Sequence, residues 1–204
     1  MMKSMKYINN KSFTLVEILI GMSIMLMITA MVASLFIGTL NYWKRGYGFN
    51  QRQQSARIVF SRMTENISSL FVSTSRGIYC FGAKDNFHFI SVSVKSPEGD
   101  LAEMSYEYNP AEKRIYFSYQ EKADFNFDTY DSKDMISINV LSLDFSYMDK
   151  DGSWLTSWDS RQGGQQEGRA PQAVKISLGV ENTDAPEGKE VFETIVELPI
   201  RTKY

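Results

Sequence analysis

Between Ile18 and Leu40 the chain runs for 23 residues without a charged side chain, and a single carboxylate, Glu17, stands at the mouth of that run. A helix of this length spans roughly 34 Å, enough to cross a bilayer core of about 30 Å. A helix inside a soluble domain is seldom this long and apolar on every side. The run therefore predicts a membrane-spanning helix. Glu17 is then the residue to explain, because a charge within such a segment costs on the order of 2.5–3.5 kcal/mol unless it finds a partner.

The flanks give a direction. Residues 1–12 carry Lys3, Lys6 and Lys11 and no acid, leaving 19 basic against 24 acidic residues, a net of −5, for the rest of the chain. Lys44 and Arg45 follow the run, so counting alone does not orient it. The short basic leader favours a cytoplasmic start, with the remaining chain outside the inner membrane. A secretory signal peptide has a shorter apolar core that ends at small residues, for which only "MVAS" near Ala33 is available. A plain signal anchor accounts for everything except Glu17.

"SFTLVEILI" resembles the N-terminal processing motif of the type IV pilin superfamily. The resemblance implies a leader, residues 1–12, removed between Ser12 and Phe13 by the prepilin peptidase, and N-methylation of Phe13. Glu17 becomes the fifth mature residue and pairs with the Phe13 amine of a neighbouring subunit in a filament. The family usually has Gly before the cut, where this chain has Ser12.

Past the apolar run, residues 41–72 contain no Pro. Phe49, Ala56, Val59, Met63, Ile67 and Leu70 fall at helical spacing, with Arg52, Arg57, Arg62 and Glu65 opposite. This predicts an amphipathic continuation of the helix, weakened at Gly46 and Gly48. Tyr42, Trp43 and Tyr47 suit either the membrane interface or packing on a neighbouring helix.

From residue 76 the period changes to two. "RGIYCF", "FHFISVSVK", "LAEMSYEY" and "RIYFSYQ" read as strands, with "NPAEK" a turn between the last two. "EKADFNFDTYDSKD" reads as an acidic surface excursion. "MISINVLSLDFSYMD", "SWLTSW", "QAVKISLGVE" and "VFETIVELPI" complete a second block, in which Leu141, Leu143, Phe145 and Tyr147 share one face. "DSRQGGQQEGRAP" reads as a mobile loop. The expected fold class is α+β: residues 13–40 a transmembrane and filament-core helix, 41–72 its amphipathic continuation, and 73–204 a periplasmic domain of seven or eight antiparallel strands.

Other chemistry finds little support. Hydrophobic residues make up 43% of the chain, enough for a real core, and the net charge of −2 does not point to nucleic acid. One cysteine, Cys80, excludes an intrachain disulfide. With His88 the only imidazole, neither a Cys/His metal site nor a His-based hydrolase is expected. Both residues read as ordinary strand positions, Cys80 buried and inert. "DKDGSW" opens like a calcium loop, but its twelfth position is Ser160, so a hairpin turn is expected. Trp154 and Trp158 are expected on one side of a strand, in the core or as a partner contact. No cofactor or metal is expected.

The second block is similar to the C-terminal half of the J-type minor pseudopilins of type II secretion. Phe145, Asp149, Gly152, Trp154 and Trp158, then Pro171, Ala173, Val174 and Leu178, carry that resemblance. It implies a non-enzymatic subunit of the pseudopilus tip that contributes to export of folded proteins across the outer membrane. Implied partners are the I-, K- and H-type minor pseudopilins, the prepilin peptidase and the inner-membrane assembly platform. A minor pilin of a type IV pilus is the alternative, as is a tethered binding or catalytic domain.

Overall fold

The computed structural model describes residues 14–92, 100–138, 140–182 and 187–199. The chain divides into two compact units at Phe49/Asn50, with one helix, α1 (Leu15–Ser68), running through the boundary. In the first unit the apolar stretch Leu15–Trp43 has mean hydropathy 2.3 and none of it is buried. Three of its hydroxyls turn back onto the helix. Ser23, Thr29 and Thr39 donate to the carbonyls of Ile20, Met25 and Leu35 at 2.8, 2.8 and 2.9 Å, which satisfies polar groups that have no water to turn to in a bilayer.

In the second unit the last turns of α1 become one-sided. Ala56, Val59, Met63 and Ile67 are buried, while Arg57 and Glu65 stay exposed. Phe49 has no described side chain. Arg52 departs from the expected solvated face: it pairs with Glu190 at 3.1 Å, both side chains 20% exposed. The helix stops at a pair of serines. Ser68 Oγ donates to the Glu65 carbonyl at 2.9 Å and Ser69 Oγ to that of Asn66 at 3.1 Å, competing with the helical ladder.

Among the described residues ten strands follow a short 3₁₀ turn (Thr74–Arg76). They are β1 (Phe81–Gly82), β2 (Asn86–Val92), β3 (Leu101–Asn109), β4 (Arg114–Gln120), β5 (Ser132–Ile138), β6 (Val140–Met148), β7 (Trp154–Leu155), β8 (Trp158–Asp159), β9 (Ala173–Glu181) and β10 (Lys189–Glu197). They form an antiparallel six-stranded sheet, β5-β4-β3-β2-β1-β8, and an antiparallel four-stranded sheet, β10-β9-β6-β7. Inward residues of both sheets meet the helical stripe in one core. Aromatic rings cluster within it: Phe87 lies 5.0 Å from Phe89 and 5.2 Å from Tyr147, and Tyr106 lies 5.0 Å from Phe117.

Several expectations need correction. "RGIYCF" supplies only Phe81, the first of the two residues of β1, and Ile78 of an isolated bridge to Ser73. "MISINVLSLDFSYMD" is not one strand. Its first part lies in β5, on the edge of the first sheet, and β6 continues in the interior of the second. The register against β9 shifts between Val140 and Ser142, a bulge that puts Val140 into the core and leaves Leu141 half-buried. A Cβ at Gly179 would meet Ser142 Oγ, which would have to turn aside.

"SWLTSW" is likewise divided, between β7 in one sheet and β8 in the other. Trp154 is therefore 37% exposed and Trp158 is 2% exposed, rather than the two sharing a side. "DSRQGGQQEGRAP" is tied down. Gln166, 6% exposed, exchanges bonds with Asp159, Gly168 N–H reaches the Ser160 carbonyl at 2.9 Å, and Trp158 Nε1 donates to the Arg169 carbonyl at 3.1 Å. "DKDGSW" does form the β6–β7 turn, with Gly152 at φ 78° and Gly152 N–H on the Asp149 carbonyl at 2.9 Å.

Tyr147, fully buried on β6, reaches from the second sheet to the turn of the first. Its Oη lies 3.0 Å from the Ala83 carbonyl and 3.1 Å from that of Asn86. Tyr147→Phe leaves those carbonyls without this donor and is expected to destabilise the domain by about 1–3 kcal/mol, measured by urea unfolding. An unchanged midpoint would remove the bond from the account of how the sheets are joined. Cys80 is fully buried, and burial pushes its thiol up to about 12. Thiol reagents at neutral to mildly alkaline pH are expected to leave the folded protein unlabelled and to titrate one thiol after denaturation. Rapid labelling of the folded protein would contradict that burial.

Candidate functional site

The site singled out by the sequence lies at the first turn of α1. Thr14 precedes the first helical residue, and Glu17 is three positions on. Thr14 N–H donates to Glu17 Oε2 at 3.0 Å, and Glu17 N–H donates to Thr14 Oγ1 at 3.3 Å. The Thr14 hydroxyl also donates to Glu17 Oε2, at 3.0 Å. This reciprocal arrangement is a capping box, which satisfies two otherwise orphaned helix N–H groups. A negative charge there also faces the positive end of the helix dipole. Glu17 is thus not a stray charge at the mouth of an apolar helix, since its own first turn holds it. Ser12 and Phe13, the expected cleavage pair, lie outside the described residues. Among the described residues the motif offers a carboxylate, its Thr14 cap and an apolar stem.

Elsewhere the residues considered for chemistry are occupied in structural roles. His88 stays on β2, half-buried and stacked on Phe81 at 4.8 Å, with Nδ1 3.0 Å from Tyr130 Oη. Burial lowers its pKa, favouring neutral imidazole. Asp149 accepts from Lys150 N–H at 2.8 Å and from Arg169 Nη1 at 3.3 Å. The Lys175 ammonium stands 5.3 Å from the Trp154 ring centroid. Among the described residues, no group of three or more His, Cys, Asp or Glu side chains is placed to hold a metal ion.

One acidic residue escaped the sequence reading. Glu103 alternates outward in "LAEMSYEY", a pattern that predicts exposure, yet it is fully buried on β3 beneath the residues that follow β4. Alternation reports which face a residue takes and cannot report what covers that face.

Comparison with known proteins bears on the chain as a whole. Residues 49–191 match the family described as type II secretion system (T2SS), protein J, and residues 8–33 match the prokaryotic N-terminal methylation motif. No curated protein matches the chain. Among solved structures, the fold is similar to a chain in the crystal structure of the GspK-GspI-GspJ complex from the enterotoxigenic Escherichia coli type 2 secretion system. The TM-score is 0.50 at 14% identity, over 72% of this chain and 98% of that one. The N-terminal motif fits a membrane-anchored subunit, and the family match covers most of the β-rich unit. The chain belongs to the type II secretion system protein J family, and is a minor pseudopilin of that system.

Proposed function

We propose that this pseudopilin is a non-catalytic subunit of the pseudopilus tip, held in the inner membrane by its apolar helix, with the β-rich unit in the periplasm. The proposed divisions are a leader over residues 1–12, a membrane and filament-core helix over 13–40, its amphipathic continuation over 41–72 and the periplasmic domain from 73. In this reading the prepilin peptidase cuts between Ser12 and Phe13, Phe13 is N-methylated, and the inner-membrane platform draws the mature subunit into the filament. The match of residues 8–33 to the methylation motif, with Glu17 in place at the helix start, carries this reading. The related complex is named for K, I and J subunits. That supports I- and K-type partners here, and the H-type is proposed beside them.

The capping box gives the assembly step a physical form. Before assembly, Thr14 and the helix N-terminus hold the Glu17 carboxylate. During assembly the carboxylate meets a new cation, the Phe13 amine of a neighbour. Pairing removes two charges from an environment that solvates neither, so losing one partner strands the other.

Mass spectrometry of the mature protein is expected to show an N-terminal, singly methylated Phe13, and an intact leader would overturn the cleavage assignment. Glu17→Ala is expected to lower incorporation into the filament about tenfold or more, as for the loss of about 1.4 kcal/mol of pairing, with the thermal unfolding of the β-rich unit unchanged. Wild-type incorporation in that variant would end the pairing proposal. Full-length protein co-expressed with I- and K-type subunits is expected to purify as a ternary complex. Recovery of this chain alone under those conditions would count against the tip assignment.

A further inference from the structure

Residues 121–131, between β4 and β5, do not simply hang from the sheet edge. Ala123 N–H donates to the Leu101 carbonyl at 2.9 Å, and Glu121 N–H to Asp131 Oδ2 at 3.0 Å. Phe127 sets its ring edge against Phe81 at 5.1 Å. Tyr130 reaches His88 at 3.0 Å. Beneath lies the outer face of the six-stranded sheet, where Glu103 is fully buried and Ser105 is 3% exposed.

The backbone of this excursion is shaped around the Glu103 carboxylate. Phe125 adopts the left-handed region at φ 64°, which only a few per cent of non-glycine residues do. That conformation aims its N–H at Glu103 Oε1, with the N–H groups of Asp124 and Asn126 beside it. The other oxygen, Oε2, is buried without a hydrogen-bond partner among the described residues. Among the described residues no cation compensates it. In register with Glu103 stand Ile90 on β2 and Gln120 on β4. The excursion brings the Asp124 carboxylate and the Tyr130 phenol. His88 on β2 bonds Tyr130, and Lys133 on β5 is taken by Glu107 of β3 at 2.9 Å.

We propose that residues 121–131 form a proton-coupled flap, which closes by taking Glu103 out of water and holds a proton from solvent on that carboxyl while closed. When the flap opens, the carboxyl is solvated and releases the proton. Closure also sets one wall of a cavity of about 470 Å3 lined by His88, Ser105, Ser118, Phe127 and Tyr130, so proton and cavity rise and fall together.

The direction follows from which form binds the proton more tightly. Burial raises the Glu103 carboxyl above the ordinary carboxylate range and outweighs the Phe125, Asp124 and Asn126 N–H groups, which lower it, while the Asp124 charge adds to the rise. The closed form is therefore fully favoured below the ordinary carboxylate value. It loses ground as pH climbs from there through the raised closed-state value, by up to about tenfold in the closed-to-open ratio per pH unit.

Hydrogen–deuterium exchange of the full-length protein in detergent micelles, corrected for intrinsic rates between about pH 4 and 8, tests this. Protection of the amides at 123–127 is expected to fall as pH rises. Glu103→Gln, which keeps an acceptor for Phe125 N–H but cannot ionise, is expected to hold that protection constant. Asp124→Asn on the exposed flap is expected to shrink the loss and end it at lower pH, and this variant decides the matter should Glu103→Gln not fold. Superimposed profiles for wild type and the folded variants, or wild-type protection that grows with pH, would overturn the proposal.

Discussion

The β-rich unit depends on one stripe of a helix. Ala56, Val59, Met63 and Ile67 repeat at intervals of three and four, and both sheets turn their inner faces onto them. The two sheets also meet each other, Phe87 of one against Tyr147 of the other, and the stripe is the third side of a single core. Because the helix is also the membrane stem, the domain is built on the element that anchors it. That gives a reason for the change in its character along its length, from apolar all round in the first unit to one-sided in the second.

At the other end of the helix the same economy applies to charge. A carboxylate beside an apolar run is costly alone, and the first turn supplies Thr14 and the helix dipole to hold it. Such a hold is modest, since a cap is worth about 0.5–2 kcal/mol. It is strong enough to define the helix start and weak enough to be exchanged for an ion pair when one is offered. In the proposed assembly, the membrane-embedded subunit and the filament subunit differ in the partner this one residue keeps.

What could be read in the sequence was whatever has a period. The apolar run, the helical stripe and the long strands at Leu101, Arg114 and Ala173 announce themselves, as does the Asp149–Gly152 turn. The processing motif was legible because its residues are contiguous. The failures share one cause: they are places where chain neighbours part company in space. "MISINVLSLDFSYMD" looks like one strand because alternation does not say which sheet a strand joins. Only the parity slip at Leu141 hints at the bulge. "SWLTSW" hides a crossing between sheets in the same way. Glu103 is polar, alternates correctly and is buried by residues a strand away. The glycine- and glutamine-rich loop looked loose because its anchors, the Trp158 indole and the Gln166 amide, bond across the loop rather than along it.

The pairing of β1 with β8 joins Phe81 to Asp159 and Gly82 to Trp158. The first sheet is thus finished by residues that are synthesised long after its other strands, and that first pass through the edge of the second sheet. Contacts so distant along the chain close slowly, because loop entropy must be overcome before they contribute. No early half of the domain can complete itself and wait. The unit gains its native order only once most of its chain is available, so its early hydrophobic strands wait for late partners. In the proposed membrane-anchored subunit, the apolar stem forms before any of this and holds the unfinished chain while the late strands arrive.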